Sequence, residues 1–226
     1  MNKNIFFKKL IGVFSYIIGI SLFIYLFLIV QNGKFIFSIL GIIIAFLLFS
    51  ALMVIFAYGT IDSHKNNKKK IIKFIVCHLF AFYIFILYSV LFQNSFRINF
   101  AKNASTIDFV TYCRYNTNLI PLMNIFYSAQ INAGVVIKNI IGNVLTFIPM
   151  SIFILYLFSI QNKNILFAFT NISIIFCVEF LQFITRRGVF DIDDIIFNLI
   201  GVLLGYVIYK YVNIYVKSKQ GINMMT

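Results

Sequence analysis

Apolar residues run almost unbroken through six stretches, 10–30, 35–58, 74–92, 139–160, 165–184 and 195–215. Each is close to the roughly 20 residues that a helix needs to cross a bilayer core at about 1.5 Å per residue. The runs are continuous rather than alternating, which argues against a transmembrane β-barrel. Gln31-Asn32-Gly33-Lys34 breaks the first pair of runs. A polar tract from Asp62 to Lys73, with five lysines and His64, separates the second from the third. Residues 93–137 are mixed and form the one long connection. The pattern predicts an all-α, polytopic integral membrane bundle of about six transmembrane helices. It divides into an N-terminal two-helix membrane segment with a basic inner loop (1–73), a membrane domain (74–216) and a short basic tail (217–226). Lys3, Lys8 and Lys9 precede the first run, as in a signal peptide. That run is too long for a signal-peptide core and lacks a small-residue cleavage site, so a retained first helix is expected.

Composition points the same way. The chain is 62% hydrophobic and 11% charged, with a mean hydropathy of +0.96; soluble domains carry about 25% charged residues. So much apolar surface cannot be hidden from water by 226 residues, so lipid is the expected solvent. A soluble enzyme, a disordered chain and a disulfide scaffold are excluded. Lys and Arg total 19 against six Asp and Glu, a net charge of +13. The cations sit in short tracts beside the apolar runs, so they predict orientation rather than a nucleic-acid partner. With the N-terminus inside, twelve Lys and Arg fall on the inner side and seven outside. Both termini are therefore expected in the cytoplasm. Lys65–Lys73 reads as an inner-leaflet anchor. Cys77, Cys113 and Cys177 are scattered, and no Cys-x-x-Cys or His-x-x-x-His pair suggests zinc.

Four of the six acids fall within residues 179–194: Glu179, Asp191, Asp193 and Asp194. An even spread would put fewer than one there. With Arg186 and Arg187 this window carries −2, and the rest of the chain +15. Ionisable groups near lipid are costly, so such a focus is a functional candidate. Glu179, Gln182 and Arg186 share a helix face, as do Asp194, Asn198, Gly201 and Gly205. Gly201-x-x-x-Gly205 permits close helix packing. Asn139, Asn143 and Thr146 share a face one turn before Pro149, which can kink its helix. The predicted orientation brings these groups, with Arg114, Asn118 and Pro121 of the long connection, to one depth near the outer surface. An outward-facing pocket is the expectation.

Plainer roles stand beside it. One of the three aspartates would serve as an N-cap for the last helix. Arg186 and Arg187 would serve as interfacial anchors paired with Glu179. Asn143 and Asn198 would serve as contacts between helices. His78 reads as a packed or snorkelling side chain, and His64 as a solvated one.

The segments just assembled resemble the VanZ-like family of bacterial membrane proteins. They are Asn118-Leu119-Ile120-Pro121, Ile141-Gly142-Asn143-Val144-Leu145-Thr146-Phe147-Ile148-Pro149, Glu179-Phe180-Leu181-Gln182, and Arg187-Gly188-Val189-Phe190-Asp191-Ile192-Asp193-Asp194-Ile195-Ile196-Phe197-Asn198-Leu199-Ile200-Gly201. The last is the most specific. The resemblance covers residues 118–209, with a weaker extension over 80–97. It departs at Met150-Ser151, where the family pattern has a glycine and then an apolar residue. The resemblance implies a multi-pass protein of the bacterial cell envelope associated with glycopeptide resistance, teicoplanin especially. Fold and motif do not transfer a mechanism, and three stay open. The first is a binding protein whose outward acidic pocket (Glu179, Gln182, Arg187, Asp191, Asp193, Asp194, Asn198, Asn143 and Asn118) holds a cationic group of a glycopeptide or cell-wall precursor. The pocket would be shaped by Pro121, Pro149, Gly142, Gly201 and Gly205. The second is a metal-dependent membrane enzyme acting on a lipid-linked phosphate. Glu179, Asp191 and Asp194 would hold a divalent cation, but no nucleophile motif accompanies them. The third is an ion- or proton-coupled carrier, for which no repeat is visible. The first is favoured; no cofactor is evident, and no catalytic residue is assigned.

Overall fold

The computed structural model describes residues 3–31, 39–60, 65–93, 95–158, 160 and 164–222. The expected break at 32–34, the start of the polar tract with His64, Lys163 and residues 223–226 lie outside this set. So do the side chains of Lys3, Lys65, Lys68, Lys217 and Lys219. The expected all-α membrane architecture is present. Helices α1 (Lys3–Gln31), α2 (Ile39–Thr60) and α3 (Lys65–Phe92) are followed by the short α4 (Ser95–Ala104) and α5 (Phe109–Tyr115). The two-residue strand β1 (Thr117–Asn118) precedes α6 (Met123–Leu157) and α7 (Asn164–Ile184). The equally short β2 (Phe190–Asp191) leads into α8 (Ile192–Ile222). Five helices are long and apolar enough to cross a membrane, and a shorter apolar run, Ile44–Thr60, forms most of α2. Helices are the natural solution, because lipid offers no partner for an unpaired backbone amide. Large apolar side chains such as Phe14, Leu47, Phe169, Leu203 and Tyr211 stay exposed along these helices, as a lipid-facing surface requires.

Two compact units divide the chain at 98/99. In the first, α3 packs with α1 and α2, although the sequence pattern groups its apolar run with the later spans. Leu26, Phe49, Met53 and Phe82 form the core. Gly12 and Gly59 bring α1 and α2 together: a Cβ on Gly59 would lie 2.7 Å from the Lys8 carbonyl oxygen. His78 is bonded through Nδ1 to the Phe74 carbonyl oxygen of its own helix (2.9 Å), with its ring against Phe74 and Tyr16. Packing is thus its visible role.

The second unit is organised around α6 and α8. Asn143 pairs with Asp194, and Gly201 and Gly205 lie against Val144 and Ile148, so the two helices run parallel. A Cβ on Gly201 would overlap the Val144 carbonyl oxygen, and one on Gly205 would overlap Ile148 O and Ser151 Oγ. Backbone therefore meets backbone along this seam. Ser151, where the sequence departs from the family pattern, is fully buried opposite Gly205 and bonds the Ile148 carbonyl (3.1 Å). By contrast, Gly142 has nothing within 4 Å of a built Cβ. The antiparallel α7 joins α8 through Glu179 with Asn198 at one end and Phe167 with Tyr206 at the other.

Pro149 lies inside α6, and the helix is kinked well before it. The backbone leaves helical geometry at Asn132 (φ −158°, ψ 96°), whose Oδ1 accepts the Gly134 amide at 3.0 Å. Asn132 thereby caps a second helical stretch, and the apolar span begins there, at Asn132–Leu157. The expected basic tail largely continues α8 to Ile222.

Candidate functional site

From Ala104 onward, the long connection folds down onto the turn between α7 and α8. Asp108 starts it by capping α5, its carboxylate accepting the Thr111 amide at 2.9 Å. That bond holds the Asp108 carboxyl below the usual carboxylate range. Its support of α5 is therefore present above that range and lost as pH falls through the lowered value. From α5, the fully buried Tyr112 donates its hydroxyl to the Gly188 carbonyl at 2.6 Å. The chain then forms a parallel bridge in which Thr117 is opposite Phe190 and Asn118 opposite Asp191.

Arg186 anchors the same loop from the other side. It ends α7 in the left-handed region (φ 55°), where glycine is usual. Its amide bonds Phe183 O at 2.9 Å, and the Arg187 amide bonds Gln182 O at 2.8 Å. Together these close the helix. Its guanidinium donates to Ala104 O (2.7 Å) and Ile107 O (2.8 Å) and lies over the rings of Tyr112 and Phe109. The left-handed conformation costs about 1–2 kcal/mol, whereas each bond to a charged donor contributes about 1.5–3 kcal/mol. The side chain therefore outweighs the strain. Arg186→Gly is expected to lower stability by about 2 kcal/mol despite relieving the backbone, and Arg186→Ala by more, because it keeps the strain without the bonds. Thermal unfolding of the two variants in detergent gives the order.

Against this docked loop the four carboxylates each find amides. Asp191 caps α8, its Oδ1 accepting the Asp193 amide at 3.0 Å. The same carboxylate accepts Asn118 Nδ2 at 2.9 Å and Asn124 Nδ2 at 2.7 Å. Asp193, 2% exposed, accepts the Leu122 amide at 2.6 Å. Leu122 itself is left-handed (φ 65°) at the entry to α6, so Asp193 holds a strained turn in place. Its other oxygen, Oδ2, is buried with no hydrogen bond among the described residues. Asp194 is half-buried and takes Asn139 Nδ2 (3.1 Å) and Asn143 Nδ2 (2.5 Å) from α6. Glu179, buried on α7, accepts Asn198 Nδ2 at 3.3 Å. Gln182 is buried one turn on, and Arg187 is half-buried. Arg114 and Pro121 are exposed.

The expected residues thus gather at one end of α6, α7 and α8. Asp191 serves the loop, Asp194 the α6/α8 seam and Glu179 the α7/α8 contact. Among the described residues, no three His, Cys, Asp or Glu side chains are grouped to hold a metal ion. Tyr112, Leu122 and Asn124 were not singled out in the sequence, and Arg186 was assigned only an anchoring role. Their contacts join positions 67–82 residues apart, and a lone Tyr or Asn in an apolar chain carries no local sign of such a partner.

These features define a polytopic helical membrane protein with an amide-lined acidic end built from three helices and a docked loop. The family model described as VanZ/LLP1 matches residues 80–214, more than half of the chain. The chain belongs to the VanZ/LLP1 family. No curated protein and no solved structure matches it.

Proposed function

We propose that this VanZ-like protein contributes to glycopeptide tolerance of the teicoplanin type in a bacterial cell envelope, through an acidic and polar end that faces outward and receives a cationic group. The observation that carries this reading is the kind of partner the aspartates have. Asp191 and Asp193 are met by Asn118, Asn124 and backbone amides, all neutral donors. Neutral donors satisfy a carboxylate's hydrogen bonds without cancelling its charge, which supports a negative field around Asp191 and Asp193. Asp194 is the point of approach, because its carboxylate is half-buried and its partner Asn139 is exposed. The amine of a glycopeptide or of a cell-wall precursor is the fitting ligand class. The positive-inside count supports an outward position for this end and a cytoplasmic one for both termini.

The test is Asp194→Asn in cells that depend on the chain for tolerance. The amide keeps an acceptor for Asn139 and Asn143 and removes the charge. Teicoplanin tolerance is expected to fall to the level of cells without the chain, while the amount of protein in the membrane is unchanged. Full tolerance at unchanged membrane level would refute the reading.

A further inference from the structure

A second feature lies at the opposite end of α7 and α8. The two helices leave between them a groove of about 430 Å³, within the roughly 300–1,000 Å³ usual for small-molecule sites. Phe167, Ala168, Val202 and Leu203 make its walls apolar, and Asn171 lies in its lining. At its far end Tyr206 donates its hydroxyl to Asn164 Oδ1 (3.4 Å). One turn beyond, Lys210 Nζ sits 5.1 Å from the centre of the Tyr206 ring.

The cation is the telling part. Lys210 lies inside the span Ile192–Val216, six residues or about 9 Å from its end. Among the described residues it meets the Tyr206 face and no carboxylate. Nor is there any Asp or Glu in residues 164–178 or 195–226. An exposed ammonium within two turns of the end of its span calls for an anion or a path to the interface. An apolar trough ending at a cation and two polar groups matches an acyl chain ending at a phosphate.

We propose that the α7/α8 groove is a binding site for an anionic glycerophospholipid, one acyl chain lying along Phe167, Ala168 and Val202 and the phosphodiester at Lys210. A zwitterionic lipid brings its own ammonium beside Lys210 and is disfavoured. The site is separate from the acidic end and independent of the function assigned to it.

The full chain is reconstituted in vesicles of equimolar phosphatidylglycerol and phosphatidylcholine and extracted in mild detergent. Co-purifying lipid is then measured by mass spectrometry. Phosphatidylglycerol is expected to be enriched about fivefold, the attraction of one interfacial lysine for an anionic lipid. Lys210→Gln is expected to abolish the preference while some lipid is kept. Ala168→Trp, which fills the groove from an exposed position, is expected to remove the retained lipid altogether. Both variants are compared with the parent at matched melting behaviour; Lys210→Arg, which keeps the cation, is expected to keep the preference. Equal retention of the two lipids by the parent, or a preference indifferent to both substitutions, would overturn the proposal. So would cross-linking of Ala168→Cys between copies at high yield, which would give the groove to a second chain.

Discussion

Leucine in place of Gly201 is expected to break the pairing of α6 with α8 and with it the second unit. A built Cβ there already overlaps the Val144 carbonyl oxygen and lies 3.2 Å from Phe147 Cβ. The obstacle is backbone and cannot rotate aside. Overpacking a well-filled interior costs about 1–3 kcal/mol even where side chains can move, so an effect of about 3 kcal/mol or more is expected against an immovable carbonyl. Gly201→Ala should show a smaller loss in the same direction. Gly142→Ala supplies the contrast, because the same substitution in the partner helix meets nothing within 4 Å. It should be neutral or stabilising by up to about 1 kcal/mol through helix propensity. Thermal unfolding in detergent separates the cases. Equal effects at the two glycines would mean that general glycine flexibility, rather than the close seam, governs this bundle.

Lipid makes the coarse fold easy to read. Twenty uninterrupted apolar residues leave few alternatives to a span, and the runs found in the sequence correspond to the long helices. The acids were conspicuous because the chain has only six. What stayed hidden is how the 93–137 connection folds. Proline at 149 gave a local reason for a bend, but nothing in the pattern marked the kink at Asn132, where a side-chain oxygen offers the Gly134 N–H an alternative to the helix. Periodicity cannot register such competition. Likewise a helical stripe correctly groups Asp194 with Asn198 but does not foresee that the first turns to α6 and the second to α7. Side-chain spacing specifies a face; only the neighbouring helices decide which residue on that face meets which partner.

Loss of the Asp191 carboxylate is expected to free the docked loop while leaving the spans inserted. This one group accepts Asn118, Asn124 and the Asp193 amide, so Asp191→Ala removes a helix cap and both side-chain ties at once. Each bond to a charged acceptor contributes about 1.5–3 kcal/mol. Tyr112 and Arg186 still hold the loop through Gly188, Ala104 and Ile107, so the effect falls on local opening rather than on global unfolding. A net loss of about 3 kcal/mol raises the open population roughly a hundredfold. Cys113, half-buried on α5 within the docked segment, reports that opening. With Cys77 and Cys177 replaced by alanine, the rate of maleimide labelling at Cys113 is expected to rise by about that factor in Asp191→Ala. In Asp191→Asn it should rise far less, because the amide oxygen can still accept Asn118 and the Asp193 N–H. Labelling of intact cells with a membrane-impermeant maleimide reads the side as well as the rate: reaction from outside is what an outward acidic end requires. Unchanged labelling in Asp191→Ala would mean that the Tyr112 and Arg186 contacts alone hold the loop, and that Asp191 is present for its charge.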